Sequence, residues 1–347
     1  QVVGVLDSIT AHPVSPAGNL QGFFMQSSTV SPRIGVIGAG AIGGFYGLML
    51  ARAGYDVHFL LRSDYAAVKA AGLQLDSAVH GSLGLHPVQA YRDVAQMPVC
   101  DWLLVGAKTS SNTDLAPLIN QAAAKGAKVV LLQNGLGVEQ QLRPLLDDSL
   151  HLLGGLCFIC VHRSSPGVIV HQSQGMVKLG YHSGTAEDQT DQQQVLEEGA
   201  EMFRQAGLEA SVVTDLEQAR WQKLVWNIPY NGLSVLLNAG TSGLMANVHS
   251  RALIAELMQE VIDAASACGY ALPEHYAQRL LKATDRMPDY LPSMFHDFIQ
   301  KRPMELQAIY ATPLKAAQAA GCTVPRLQML HQALCFLQQR NGLENVQ

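Results

Sequence analysis

The segment Ile34-Gly35-Val36-Ile37-Gly38-Ala39-Gly40-Ala41-Ile42-Gly43 places G-x-G-x-x-G between an apolar strand and the start of a helix. In that context each glycine has a separate physical task. Gly38 permits a tight turn, Gly40 lets backbone N–H groups approach a pyrophosphate, and Gly43 allows the helix to pack closely on the strand. Ala39, Ala41 and Ile42 complete the backbone of the loop, and the helix N-terminus adds partial positive charge facing any phosphate. A glycine turn that holds no ligand is the alternative reading.

Around this loop the pattern alternates. Ile34–Ile37, Asp56–Leu61, Asp101–Val105 and Lys128–Leu132 read as strands, with helices over Ala41–Ala53 and Ser111–Lys125. Such strands, apolar along their whole length, imply a parallel sheet covered on both faces. Residues 152–182, punctuated by Gly155, Gly167 and Gly175, predict antiparallel strands that extend the sheet, followed by a helix over Gln189–Ala206 and a strand over Glu209–Thr214. From Asp215 onward everything reads as helix, with breaks at Asn238–Ser242, Gly269, Pro288–Pro292 and Gly321–Pro325. The expected fold is therefore α/β, a Rossmann-type doubly wound sheet followed by an all-helical C-terminal domain. Residues 1–32 have no durable period and read as an N-terminal extension in which Met25 is a candidate start. Residues 33–210 read as the nucleotide domain and 211–347 as a helical substrate domain.

Composition narrows the function. Only 15% of the 347 residues are charged and the net charge is -5, with no Lys/Arg run, which argues against a sequence-independent grip on nucleic acid. The apolar runs have strand length, not membrane-spanning length, and no signal peptide is evident, so a cytoplasmic protein is expected. The six cysteines are dispersed, and the Cys157-x-x-Cys160 pair lies in a strand-like run, so core thiols are favoured over redox or metal chemistry and no metal site is expected.

Arg62 ends the second strand, about twenty residues beyond the glycines, where an NAD-preferring site would carry Asp or Glu. A guanidinium there can pair with a 2′-phosphate and no carboxylate is expected beside it, so NADPH is favoured over NADH; a solvated arginine is the bland reading. Lys108 and Asn134 each follow a strand at the carboxyl edge and are candidates for the nicotinamide end. In the second half, Lys223, Asn227 and Asn231 recur every four residues and share one helix face among Leu224, Val225, Trp226 and Ile228, with Pro229 a candidate bend. Polar groups on so apolar a helix need polar partners, which a substrate-filled cleft would supply; a solvated stripe is the alternative. Pro303 suits a first helical position, which would put Glu305 in a first turn.

Taken together, the glycine loop, Gly-Ala-Lys ending at Lys108, Gln-Asn-Gly-Leu-Gly around Asn134, the Lys223/Asn227/Asn231 helix, and Ser293 followed twelve residues later by Glu305 resemble the ketopantoate reductase family over about residues 33–340. The resemblance implies NADPH-dependent reduction of 2-dehydropantoate to pantoate in a cleft between two domains. It makes Lys223 the general acid and Glu305 a partner of the reacting oxygen and of the lysine. Asn227, Asn231 and Ser293 would bind substrate, with Asn134 near both nicotinamide and substrate. Thr241 and Tyr290 depart from the asparagines that some members carry, which bears on which 2-oxo acid is taken. Small 2-oxo acids are the expected partners and a homodimer is a candidate assembly. Three other readings stand beside this one: a reductase of another branched 2-oxo acid, a methyltransferase on a Rossmann-like sheet, and an NADPH-sensing protein without turnover. The methyltransferase would want an acidic residue near Arg62 and has no use for Lys223.

Overall fold

The computed structural model describes residues 31–344. The expectations for an N-terminal extension and for Met25 as a start fall almost wholly outside that range.

The chain opens with β1 (Arg33–Ile37), α1 (Ala41–Arg52) and β2 (Asp56–Leu60). Residues 63–99, unassigned from sequence, contain α2 (Tyr65–Ala71), β3 (Leu73–Ser77), β4 (Gly81–Leu85) and β5 (Ala90–Tyr91). The missed strand β3 alternates buried and exposed residues, as a strand with one covered face does. Next come β6 (Cys100–Val105), α3 (Asn112–Ala122), β7 (Ala123–Leu131), α4 (Val138–Leu142), β8 (His151–Ser165), β9 (Val168–Ser183), α5 (Gln189–Gln205) and β10 (Ala210–Val213).

These strands form one mixed sheet. Its parallel part runs β5-β2-β1-β6-β7-β8, and the long antiparallel hairpin β8–β9 continues it to β3 and β4, with β10 also on β9. The strand order reverses between β1 and β6, and open α/β sheets bind ligands outside such a switch point. Apolar side chains pack on both faces: Val36, Phe45, Phe59 and Leu104 belong to one cluster, and Ile37, Leu103, Val105 and Leu131 to another. One sequence expectation is corrected here. The run Ala122-Ala123-Ala124-Lys125 favours helix by propensity, yet α3 stops at Ala122 and Ala123 pairs with Cys100 of β6, so sheet pairing overrides local preference.

Beyond β10 the described residues are helical: α6 (Leu216–Leu237), α7 (Thr241–Ala246), α8 (Val248–Ala267), α9 (Tyr276–Asp285), α10 (Ser293–Ile299), a π-helical turn at Gln307–Ala311, α11 (Thr312–Ala319) and α12 (Pro325–Arg340). Asp215 caps α6 by accepting from the Gln218 N–H at 2.9 Å. The helix continues through Pro229 and ends at Asn238, which adopts the left-handed conformation (φ 51°). Trp221, Leu224, Val225 and Ile228 of α6 are sealed against α8 and α12 by Leu257, Met258, Val261 and Leu330. The opposite side of α6 faces the hairpin β8–β9, and there the polar residues gather. No helix among the described residues is long and apolar enough to cross a membrane.

Candidate active site

Gly38 has φ 83°, and a Cβ there would lie 2.5 Å from the Ala107 backbone nitrogen. A Cβ on Gly43 would lie 2.2 Å from the Gly38 carbonyl oxygen, so the helix, the turn and the end of β6 meet with no room for side chains. Gly40 differs. A Cβ there would meet nothing within 4 Å, and as the N-cap of α1 it offers no side-chain cap to the first N–H groups of that helix. Open space before uncapped N–H donors at the switch point of the sheet is the geometry that a pyrophosphate needs.

A cleft runs from this loop in both directions. One end, bounded by Gly38, Gly40, Arg62, Asp64, Arg92 and Arg163, lies beyond the end of β2. Arg62 is exposed and, among the described residues, its guanidinium has no partner. The sequence reading missed Asp64 as a neighbour of Arg62. This carboxylate is 4% exposed and turned away: it pairs with Arg163 at 2.6 Å and accepts from the Ser63 hydroxyl at 2.9 Å. Its charge is already matched, which leaves Arg62 free for an external anion. Arg163 is 99 residues from Asp64, so no local pattern could have joined them.

At the other end, Lys223, Asn227 and Asn231 of α6 share one cavity with Asn134, Ser293 and Tyr290. The Lys223 ammonium donates to Asn134 Oδ1 at 2.7 Å and to the Cys157 carbonyl at 2.6 Å, and stands 5.4 Å from the centre of the Phe158 ring. Burial lowers its pKa to about 8, partly offset by Glu305 among other charges. It therefore remains mostly protonated at neutral pH while being a far better proton donor than an exposed lysine. Asn231 is 5% exposed and its Oδ1 has no hydrogen-bond partner, an acceptor left open toward a ligand. Trp226, Tyr276, Leu280 and Met287 give the cavity an apolar wall. Ala41, Ile42, Asn134 and Ser293 also line a middle compartment with Lys108 and Glu305, so glycine loop and lysine open on one continuous cleft.

Residues 34–184 match the sequence profile described as Ketopantoate reductase PanE/ApbA, and residues 215–338 match its C-terminal counterpart. The chain belongs to the ketopantoate reductase family. A 2-dehydropantoate 2-reductase of Nostoc sp. is 42% identical over 308 residues, covering 88% of this chain and 95% of that relative. Among solved structures, a 2-dehydropantoate 2-reductase from Geobacter metallireducens superposes with a TM-score of 0.80 at 40% identity, over 87% of this chain and 98% of that one. Another from Methylococcus capsulatus gives 0.77 at 32%, over 89% and 97%. The chain is thus an oxidoreductase whose family acts with a nicotinamide cofactor on a small molecule.

Within this ketopantoate reductase fold, several sequence expectations need correction. Glu305 is not in the first turn of a helix, because Pro303 lies outside any helix and helix begins only at Leu306. Its carboxylate is held by Thr109, accepting from the backbone N–H at 3.0 Å and the hydroxyl at 3.1 Å, and it has no hydrogen bond with Lys223. Burial pushes the Glu305 carboxyl up, and the Thr109 N–H and Lys108 pull it back. Lys108 reaches across the cleft instead of standing free, with its ammonium 2.6 Å from Asp297 Oδ1 and 2.9 Å from the Pro303 carbonyl. Asp297, also paired with Arg302 at 3.0 Å, carried no sequence signal beyond lying four residues after Ser293. Thr241 does not line the cavity that contains Lys223. It stands behind Tyr290, accepting from the Tyr290 N–H and donating its own N–H to the Tyr290 carbonyl, both at 3.0 Å.

Proposed function

We propose that this protein reduces 2-dehydropantoate to pantoate with NADPH, residues 33–210 binding the cofactor and 211–347 completing the substrate site. The carrying observation is the lysine of lowered pKa, hydrogen-bonded to Asn134, in the same cleft as the open glycine loop. The loop Gly38, Ala39, Gly40, Ala41, Ile42 and Gly43 would hold the pyrophosphate, and Arg62 the 2′-phosphate. Lys108 and Asn134 would lie toward the nicotinamide. The cofactor, when bound, supplies a hydride to the keto carbon.

Negative charge then develops on the keto oxygen. Lys223 donates its proton there, while Asn134 and the Cys157 carbonyl fix the direction of the ammonium. Glu305 adds negative potential from the middle compartment, favouring the charged lysine without meeting the substrate carboxylate at close range. Asn227, Asn231 and Ser293, uncharged donors and acceptors, bind carboxylate and hydroxyl without repulsion. A homodimer is the assembly we propose, and a reducing cytoplasm suits the free thiols Cys157 and Cys160.

Two predictions arise here. Arg62→Ala should raise the KM for NADPH about 10- to 100-fold, the worth of a charge-assisted hydrogen bond, and change that for NADH less than about threefold. Equal effects on both cofactors would remove the 2′-phosphate assignment. Secondly, Lys223 is protonated below its pKa of about 8, so keto-acid reduction should decline above pH 8 and pantoate oxidation should gain there. A reductive kcat that stays level well above pH 8 would exclude Lys223 as the acid. The reading as a whole is tested by near-ultraviolet loss of NADPH absorbance with a panel of branched 2-oxo acids, where 2-dehydropantoate should have the highest kcat/KM.

A further inference from the structure

Gln174 lies in the strand β9 yet has φ 66°, a left-handed conformation that a side chain with a Cβ adopts only under constraint. The register of the β8–β9 hairpin shifts on either side of this point, so Gln174 sits on a bulge opposite Ile159. The constraint can be traced atom by atom. The Ser77 hydroxyl accepts from the backbone N–H groups of Val79 (3.1 Å) and His80 (2.8 Å), so its own proton goes to His171 Nδ1 at 2.8 Å. Nδ1 is therefore the acceptor of the imidazole, and Nε2 carries the hydrogen. That N–H is shared between the Ser173 carbonyl at 3.0 Å and the Gln174 carbonyl at 2.9 Å. From α1, the Tyr46 hydroxyl donates to the Gly175 carbonyl at 3.1 Å. Three successive carbonyls are thus pinned by two buried side chains, one of them on the helix that starts at the glycine loop.

This arrangement presents Gln174 to the cavity that contains Lys223, Asn227 and Asn231. Among the described residues no hydrogen bond holds its carboxamide. The fold could relieve the strain by placing glycine here, as it does at the next position, Gly175 (φ 136°). A strained, pinned residue whose polar end is unused by the protein indicates use by a ligand. The other residues that the hairpin and α9 bring to this cavity, such as Phe158, Ile159, Tyr276 and Leu280, offer mainly apolar surface to a branched carbon. An uncharged group that both donates and accepts is suited to a hydroxyl.

We propose that Gln174 is a specificity-determining residue that hydrogen-bonds the distal hydroxyl of a branched 2-oxo acid, with His171 and Tyr46 as its positioning residues. The proposal rests on the reductase reading above. The test is Gln174→Gly, compared with wild type on 2-dehydropantoate and on 3,3-dimethyl-2-oxobutanoate, which lacks only the hydroxyl. Glycine accepts the backbone conformation, so the melting temperature should hold or rise by about 2 °C. The KM for 2-dehydropantoate should rise about 10-fold and that for the hydroxyl-free acid less than about twofold, with kcat little changed. An unchanged preference between the two acids overturns the proposal. So does a melting temperature lowered by several degrees with both acids affected alike, which would make the side chain structural. If the wild type turns over neither acid, the reductase reading fails and this inference falls with it.

Discussion

Replacing Lys223 by alanine or methionine should lower kcat for 2-dehydropantoate reduction about 10²- to 10⁴-fold, the usual contribution of a positioned general acid, equivalent to about 3–5 kcal/mol of barrier. NADPH binding should be nearly unchanged, because the lysine lies at the far end of the cleft from Arg62. Loss of structure would not account for the result. Holding an ammonium in this site costs the fold stability, since its pKa is lowered to about 8 by burial. That cost is present in full below pH 8 and is relieved as pH rises from 8 into the ordinary lysine range, where the unfolded chain still binds a proton that the folded chain has lost. Lys223→Met, which keeps the apolar stem, should therefore melt no lower than wild type at neutral pH. Steady-state kinetics, cofactor titration and thermal unfolding of the same preparation separate the alternatives. Wild-type turnover by the variant would remove Lys223 from the mechanism.

Glu139→Gln should destabilise the protein by about 3–5 kcal/mol, the cost of leaving one partner of a buried ion pair uncompensated. Arg220 of α6 and Glu139 of α4 are each 1% exposed and directly paired. Arg220 also donates to the Gln133 carbonyl, the residue before Asn134. The pair thus joins the helical part to the sheet part directly behind Asn134. A fall in melting temperature of about 5–10 °C is expected, with kcat affected as well because Arg220, which holds the Gln133 carbonyl beside Asn134, loses its counter-charge. Replacing both residues by apolar ones, Arg220→Met with Glu139→Leu, should recover part of the stability, because neither charge then remains buried alone. Glu139→Gln melting at the wild-type temperature would contradict the assignment.

What the sequence made legible and what it concealed follow a physical division. The glycine loop, the apolar strands and the four-residue spacing of Lys223, Asn227 and Asn231 are local regularities, set by turn sterics and helix period, so they could be read from neighbouring residues. The breaks at Asn238, Gly269 and Gly321 were legible for the same reason. Concealed features depend on contacts distant in sequence. Lys108 and Pro303 are 195 residues apart and Lys223 and Asn134 are 89 apart, and only the tertiary fold brings them together. The misassigned tail of α3 shows sheet pairing outweighing the helix preference of Ala123 and Ala124. Glu305, expected as a partner of the lysine, lines the middle compartment of the cleft, and its surroundings were not legible, because Thr109 holds it from the other half of the chain. The strain at Gln174 left no trace in the sequence at all, since the residues that impose it, His171, Ser77 and Tyr46, come from three separate elements.

The most direct test of the central claim follows the hydride itself. With NADPH deuterated at both C4 positions of the nicotinamide and 2-dehydropantoate as acceptor, pantoate should carry one deuterium at C2, formed in step with NADPH loss by wild type and suppressed in Lys223→Ala. NADPH binding without any deuterated product would contradict it and favour a nucleotide-sensing protein over a reductase.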